Sequence, residues 1–417
     1  MSTAADRIAA ISRALSDDIY TVSSAPINTK DQYRHLIGKH ISNLRTPCLL
    51  VDKNKTIDNI KRVNEAATAL GLDFRPHAKT HKTLEIGLLQ CESGPKSLIV
   101  STIPEARLYA LTGKFREITY AVALSLDKIK EIHGLSKWVD KLHVFVDNHA
   151  IIDSLEEYAK KHHTRFCAFL KVDAGYHRAG VPHAVSEALP FAKRLHESKY
   201  IDFSGLYSHS GHTYNTQTPV ETLKIADEEI TNQVTLARGL VAAGIPVPLI
   251  SVGSTPSAEV LELQAKARVR PSYLQPGDSF KLEVHAGNYV WNDRQQCDVG
   301  IIGIERVAMT VLARVLSHYP DRGTMLVDAG SLALSTDRAR RGGFGELMGR
   351  PDLKLQKVSQ EVGIIHVSSP ADFKEYPIGS LVRILPNHAC LTAACHDFYA
   401  VLEGDIVQDI YVPCRGW

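Results

Sequence analysis

From about residue 46 the chain alternates short β-branched or apolar runs with longer stretches whose apolar positions recur at helical spacing. Runs at 48–52, 74–79, 98–102, 118–122, 143–147, 166–173, 203–209 and 249–253 read as strands, and stretches such as 57–70, 83–90, 104–111, 150–161 and 222–243 as the helices between them. Parallel neighbours need a crossover, so this alternation points to a parallel sheet. Eight such units in roughly 200 residues predict a closed (β/α)8 TIM-type barrel rather than an open sheet. After about residue 265 the rhythm changes. Runs at 280–284, 300–315, 324–327, 357–367 and 381–385 read as strands with turn residues between them and few helices, which predicts a C-terminal, mostly β domain. The expected division is 45–265 for the barrel, with 1–44 and 266–417 in the β domain; a helical preface over 1–40 belongs to neither by pattern alone. The charged stretch Asp337 to Arg341, followed by Gly342 and Gly343, reads as an exposed, mobile loop.

Composition narrows the function class. Of 417 residues, 44% are hydrophobic and 23% charged, which excludes a disordered, collagenous or disulfide-scaffold chain. Lys plus Arg number 48 against 46 Asp plus Glu, so no charge surplus marks a nucleic-acid or anionic-membrane partner. No apolar run approaches the ~18 residues of a membrane helix. Asp6, Arg7 and Arg13 interrupt the N-terminal apolar positions, unlike a secretory signal. Seven cysteines without framework spacing suit a reducing compartment. The expectation is a cytoplasmic enzyme.

In a β/α barrel the reacting groups sit where strands end. The second strand ends in Arg75-Pro76-His77-Ala78-Lys79-Thr80-His81-Lys82. A lysine there enters a partly dry mouth, where an amine can form a Schiff base with a carbonyl compound. The plainer reading is a surface lysine; His77 and His81 on either side favour the first. If Lys79 is the last inward-facing residue of the strand, His77 shares its face. The sixth strand ends in Lys171-Val172-Asp173 and a loop holding Arg178 between Gly175 and Gly180, either a polar cover on a pocket or a solvated turn. The seventh ends in a polar cluster from Tyr207 through His209 and His212 to Tyr214. The eighth ends in Gly253-Ser254-Thr255 ahead of a helix. Amides, hydroxyls and a helix N-terminus together suit a phosphate, although Ser and Thr also serve as plain caps. His285-Ala286-Gly287-Asn288-Tyr289 is a second candidate cover for the same anion. In the β half, His388 and Cys390 on an extended chain would share a side about 6–7 Å apart. That is a two-ligand start for Zn²⁺ with positions open to water and substrate, or else a buried cysteine beside a hydrogen-bonded histidine. Cys395 and His396 are adjacent and would face opposite ways.

Together these residues resemble a known family. The Arg-Pro-His-x-Lys-Thr-His-Lys run at Arg75 to Lys82, the pair Tyr207 and Tyr214, Gly253-Ser254-Thr255, Gly287-Asn288-Tyr289 and His388-x-Cys390 resemble the eukaryotic D-serine dehydratases. These are pyridoxal-phosphate- and zinc-dependent enzymes of the alanine racemase-like fold, which D-threonine aldolase shares. The resemblance runs from about residue 45 to about 412, with one departure, Ala286 where the family carries Pro, in a loop backbone rather than a reacting group. It implies that Lys79 holds pyridoxal phosphate as a Schiff base and acts as the catalytic base. By the same resemblance His77, Arg178, Tyr207, Tyr214, Gly253, Ser254, Thr255 and Tyr289 line the cofactor, and His388 and Cys390 bind zinc. It further implies a head-to-tail homodimer with each site between one chain's barrel and the other's β domain. The implied reaction is β-elimination from D-serine to pyruvate and ammonia, with D-threonine as a further substrate. Two rivals stay open. In a D-threonine aldolase-type lyase the second metal ligand is typically Asp, whereas the Cys390 thiolate is soft and suits zinc. A non-catalytic cofactor-binding barrel would leave the β half and its metal pair without a purpose, and a racemase gains nothing from that pair.

Overall fold

The structure is a computed structural model that describes residues 29–94, 96–268 and 273–417; most of the preface expected over 1–40 lies outside them. Two sheets organise the described residues. Strand β1 (Cys48–Asp52) begins the series but belongs to the second sheet. The first sheet is parallel and runs β2 (Asp73–Pro76), β3 (Ser97–Val100), β4 (Glu117–Ala123), β5 (Lys141–Val146), β6 (Phe166–Lys171), β7 (Ile201–Tyr207), β8 (Leu249–Val252) and β9 (Lys281–Ala286). Each strand pairs with the next from β3 onward, β9 pairs with β2 in the register Asp73↔Glu283 to Pro76↔Ala286, and a parallel bridge His77↔Ile99 closes the ring between β2 and β3. The expected barrel is present.

Its strands are apolar on both faces because both are covered. Ile99, Phe145, Phe169 and Tyr207 form one apolar cluster, while their neighbours Leu98, Val100, Val144, Val146, Ala168, Leu170 and Leu206 join the main core. This is the inward and outward alternation of a small barrel. Toward the strands' N-terminal ends the interior is polar: the Arg75 guanidinium donates to Glu283 at 2.8 Å and Glu117 at 3.1 Å.

The second sheet orders its strands β11 (Thr324–Val327), β14 (Gly363–His366), β13 (Arg350–Val358), β12 (Gly345–Leu347), β15 (Leu381–Pro386), β10 (Met309–Tyr319), β1, β16 (Tyr399–Glu403) and β17 (Ile406–Tyr411), with β11 returning to pair with β10. Two placements differ from the sequence expectation. Cys48–Asp52, read as the first barrel strand, lies between β10 and β16. Residues 280–284, read as part of the β half, form the eighth barrel strand. Both errors share a cause. Cys48–Asp52 is an apolar run followed directly by the helix Lys53–Leu70, the local signature of a barrel unit, and only its distant partners decide the sheet. The shift recasts the barrel's last two strand ends as Gly253 and Gly287, the place where barrels hold phosphate.

Candidate active site

The C-terminal ends of the barrel strands and the segments around Asp337 and His388 of the second sheet enclose a cavity of about 730 Å³. Its wall includes Lys79, His77, Arg178, Tyr207, Tyr214, Ser254, Thr255, His388 and Cys390, all expected from sequence. His209, His285, Lys171, Asn288, Asp147 and Asp337 also line it.

Lys79 reaches the cavity differently from the strand-face expectation. β2 stops at Pro76, and Ala78–Thr80 form a 3₁₀ turn capped by His77, whose Nδ1 accepts from the Lys79 amide at 3.3 Å. The half-buried Lys79 ammonium makes no hydrogen bond or ion pair among the described residues. The imidazoles around it are kept neutral: burial, with the Lys79 charge next, holds His77 and His209 well below the usual histidine range, and burial with the charge of His209 does the same for His285. Burial also lowers Lys171, to about 8; its Nζ donates to Val172 O at 3.2 Å.

A flat wall stands beside the amine. The Tyr207 and His285 rings stack 4.3 Å apart at 8°, and His209, whose Nδ1 donates to Gly253 O at 2.8 Å, lies 6.3 Å from His285. Opposite is the N-terminus of the helix Thr255–Lys266, capped by Ser254, whose hydroxyl also meets Thr213 at 2.8 Å and Ser257 at 2.9 Å. The Asn288 amide donates to Thr255 Oγ1 at 3.1 Å, bringing the Gly287 loop to the same end. The carboxylate within reach of this end, the buried Glu229, accepts from the Gly253 amide at 3.3 Å and from Ser208 Oγ at 2.6 Å and is not on the cavity wall. Buried and unpartnered, His285 Nε2 and Asn288 Oδ1 await a partner. An amine, a flat aromatic wall and a helix N-terminus with hydroxyls fit pyridoxal phosphate.

Gly253 and Tyr289 support the wall from behind. Gly253 has φ +133°, and a Cβ there would lie 2.6 Å from His285 O, so only glycine lets β8 pass β9 this closely. The fully buried Tyr289 hydroxyl accepts from Gln90 Nε2 at 3.1 Å, and Gln90 Oε1 accepts from His81 Nε2 at 2.9 Å. His81 is thus a core residue tying the lysine turn to the Gly287 loop.

His388 and Cys390 are not on an extended chain. His388 caps the short helix Ala389–Ala394, and Cys390 lies in its first turn. They nevertheless meet: burial raises the thiol, but its hydrogen bond to His388 and the charges of His388 and Lys79 hold Cys390 below the usual thiol range. Asp337 Oδ2 accepts from His388 Nδ1 at 2.5 Å, which holds one ring nitrogen and leaves Nε2 for another partner. A carboxylate-held imidazole beside a thiolate is the donor set of a soft divalent metal. Among the described residues no group of three or more His, Cys, Asp or Glu forms a closed metal site, so two protein ligands would leave positions open. Cys395 and His396 stay apart from the cavity, with His396 Nε2 donating to Ala333 O at 2.9 Å.

Two further expectations are corrected. The stretch from Asp337 to Gly343 is tied down: Arg340 donates to Asn215 O and Thr216 O, Asn387 Nδ2 donates to Asp337 O and Gly343 O, and Asp337 faces the cavity. The barrel and metal pair that share a cavity come from one chain, not two, because Thr80 Oγ1 lies 3.1 Å from Cys390 Sγ.

A profile described as "Alanine racemase, N-terminal domain" matches residues 51–272, and one described as "Putative serine dehydratase domain" matches 308–402. A D-serine dehydratase of Dictyostelium discoideum is 36% identical over 90% of this chain and 98% of its own length. The chain belongs to the D-serine dehydratase family. The Schizosaccharomyces pombe D-serine dehydratase is 33% identical over 94% and 96% of the two chains. Among solved structures, D-threo-3-hydroxyaspartate dehydratase from Delftia sp. HT23 superposes with a TM-score of 0.82 at 30% identity, over 91% of this chain and 100% of that one. Membership makes this protein an enzyme, a pyridoxal-phosphate-dependent ammonia-lyase on the alanine racemase-like fold. No helix among the described residues is long and apolar enough to cross a membrane.

Proposed function

We propose that the protein eliminates water from D-serine, giving pyruvate and ammonia, with pyridoxal phosphate on Lys79 and zinc on His388 and Cys390. One observation carries the reading: the amine and the soft ligand pair face a single cavity, and Thr80, the residue after Lys79, sets its hydroxyl 3.1 Å from Cys390 Sγ. The bound cofactor would supply an electron sink for the α-carbon. Zinc would act as a Lewis acid on the β-hydroxyl, whose departure as hydroxide is otherwise costly.

The chain's own groups do the rest. Lys79 Nζ takes the α-proton, and the imidazoles of His77, His209 and His285 around it are held neutral. Ser254, Thr255 and the Gly287 loop hold the phosphate. Tyr207 and His285 form the flat wall that would take the pyridine ring. Arg178, stacked 5.2 Å from the Tyr176 ring at the mouth, draws anions inward. Asp337 fixes the His388 ring. The aminoacrylate that leaves hydrolyses to pyruvate and ammonia without the enzyme's help.

Two solved variants of the Delftia enzyme, one at a histidine and one, in a metal-free form, at a cysteine two positions further on, support a metal at such a pair. D-threonine enters the same reading as a second substrate giving 2-oxobutyrate, and the active form as a homodimer. The test is to incubate purified protein with D-serine, with and without EDTA, and measure pyruvate, with L-serine as control. Pyruvate from D-serine alone, abolished by EDTA and restored by zinc, is expected. Full activity after metal stripping overturns the zinc role. Glycine and acetaldehyde from D-threonine, in place of 2-oxobutyrate and ammonia, would make the protein an aldolase.

A further inference from the structure

Pyridoxal phosphate and zinc, placed as proposed above, would occupy elements that are far apart in the chain. The Gly287 loop follows β9 of the barrel, and His388 follows β15 of the second sheet. One buried side chain joins them. Asp293 is 0% exposed, and its Oδ2 accepts from Asn288 Nδ2 at 2.5 Å and from the Ala389 amide at 2.7 Å. Ala389 lies between the two metal-binding residues, and Asn288 lies on the cavity with its own amide on Thr255 Oγ1 at 3.1 Å. Asp293 Oδ1 accepts from the Gln296 amide at 2.9 Å, which fixes the carboxylate at the start of the helix Arg294–Asp298. The same helix grips residue 387 twice: the Gln295 amide donates to Asn387 O at 3.1 Å, and Arg294 Nη1 donates to Asn387 Oδ1 at 2.5 Å.

We infer that Asp293 is a positioning residue that couples the phosphate end of the site to the metal end. It touches neither group. It holds the Asn288 side chain and the Ala389 amide on one oxygen atom, so a shift of the His388–Cys390 turn moves the acceptor that anchors the phosphate loop. Both hydrogen bonds are to a fully buried acceptor, which makes them costly to lose. A metal that orders the turn therefore also orders the loop, and the phosphate returns the same coupling to the metal, because linkage between two binding sites is reciprocal.

This inference rests on both groups binding as proposed. The experiment measures binding rather than turnover: cofactor-free protein is titrated with pyridoxal phosphate by fluorescence quenching, with zinc present and after zinc removal. In the native protein zinc is expected to tighten pyridoxal phosphate binding by about tenfold, within the usual range of coupling between sites. In Asp293→Asn one of the two acceptor oxygens becomes a donor, so either the Asn288–Ala389 link or the Gln296 anchor of the side chain is lost, and the factor is expected to fall toward one while each group still binds alone. A parallel measurement needs no variant: in cofactor-free native protein, zinc is expected to slow amide hydrogen exchange over residues 287–290. A native protein that takes up no zinc overturns both the metal assignment and this inference. A native protein that takes up both groups, with the same coupling in Asp293→Asn or with no zinc effect on exchange at 287–290, overturns the inference alone.

Discussion

A histidine serves a metal only when one ring nitrogen is presented and the other is held. Asp337 does the holding, with its carboxylate 2.5 Å from His388 Nδ1. Asp337→Asn keeps the size and removes the charge, and outer partners of this kind are worth about 10–100-fold in metal affinity. The zinc dissociation constant, measured by competition with a chromogenic chelator, is therefore expected to rise at least about tenfold, with the pyridoxal phosphate affinity of the zinc-free protein unchanged. Unchanged zinc affinity would leave Asp337 with no role at the metal. Residue type and order made most of this site legible: a lysine between histidines at a strand end, a Gly-Ser-Thr run before a helix, and a His-x-Cys pair each imply their chemistry locally. Asp337 was not legible. It lies 51 positions from His388, in a stretch whose charges and glycines look solvated, and Asn215, Thr216 and Asn387, which hold that stretch down, come from elsewhere in the chain.

Among the elements, the barrel closes because a few positions tolerate what a regular strand does not. Gly205, inside β7, has φ +121°, and a Cβ there would sit 1.9 Å from Leu249 O on β8. The register of β6 against β7 skips a residue at this point, from Ala168↔Phe203 to Phe169↔Gly205. A left-handed conformation alone costs a non-glycine residue about 1–3 kcal/mol, and the backbone clash adds to it. Gly205→Ala is expected to cost more than about 3 kcal/mol, read as a large drop in the denaturant midpoint; a loss below about 1 kcal/mol would show that β7 and β8 separate easily. The polar floor of the same barrel sets an acid limit. His143, with Nε2 3.6 Å from the carboxylate, and the charge of Arg75, working against burial, hold Glu117 down to about 2 from its ordinary 4.5. A carboxyl with a depressed folded value stabilises fully above its unfolded value and loses that contribution as pH falls through the folded one. Glu117→Gln is therefore expected to cost about 1–2 kcal/mol at neutral pH, allowing for its partial exposure, and to flatten the melting temperature between about pH 4.5 and 2. An unaltered acid limb would place the acid sensitivity elsewhere.

At the scale of the whole molecule, the chain enters the second sheet before it enters the barrel. β1 sits between β10 and β16, and the barrel begins only with β2. The change of rhythm near residue 265 was legible because helices stop alternating with strands there, but the last barrel strand comes after it and carries no helix pattern of its own. Run length and periodicity describe a strand's two faces and are silent on its partners, so seven barrel strands could be placed from sequence while β1 and β9 exchanged sheets. The physical consequence is strong. A chain cut after residue 265 loses β9, which pairs with both β2 and β8. It also leaves β1 without either of its neighbours, and Arg75 without Glu283. Two open parallel edges, an orphaned apolar strand and a buried guanidinium missing one carboxylate cannot make a stable barrel. The fragment 45–265 is expected to be insoluble or to lack a cooperative thermal transition by circular dichroism, whereas the full chain melts in one step. A soluble, cooperatively melting fragment would show that the barrel closes without β9. Because the cavity draws Lys79 from one sheet and His388 and Cys390 from the other, a chain that cannot close its barrel also cannot bring the amine and the metal pair together, and stability and chemistry fail at the same strand.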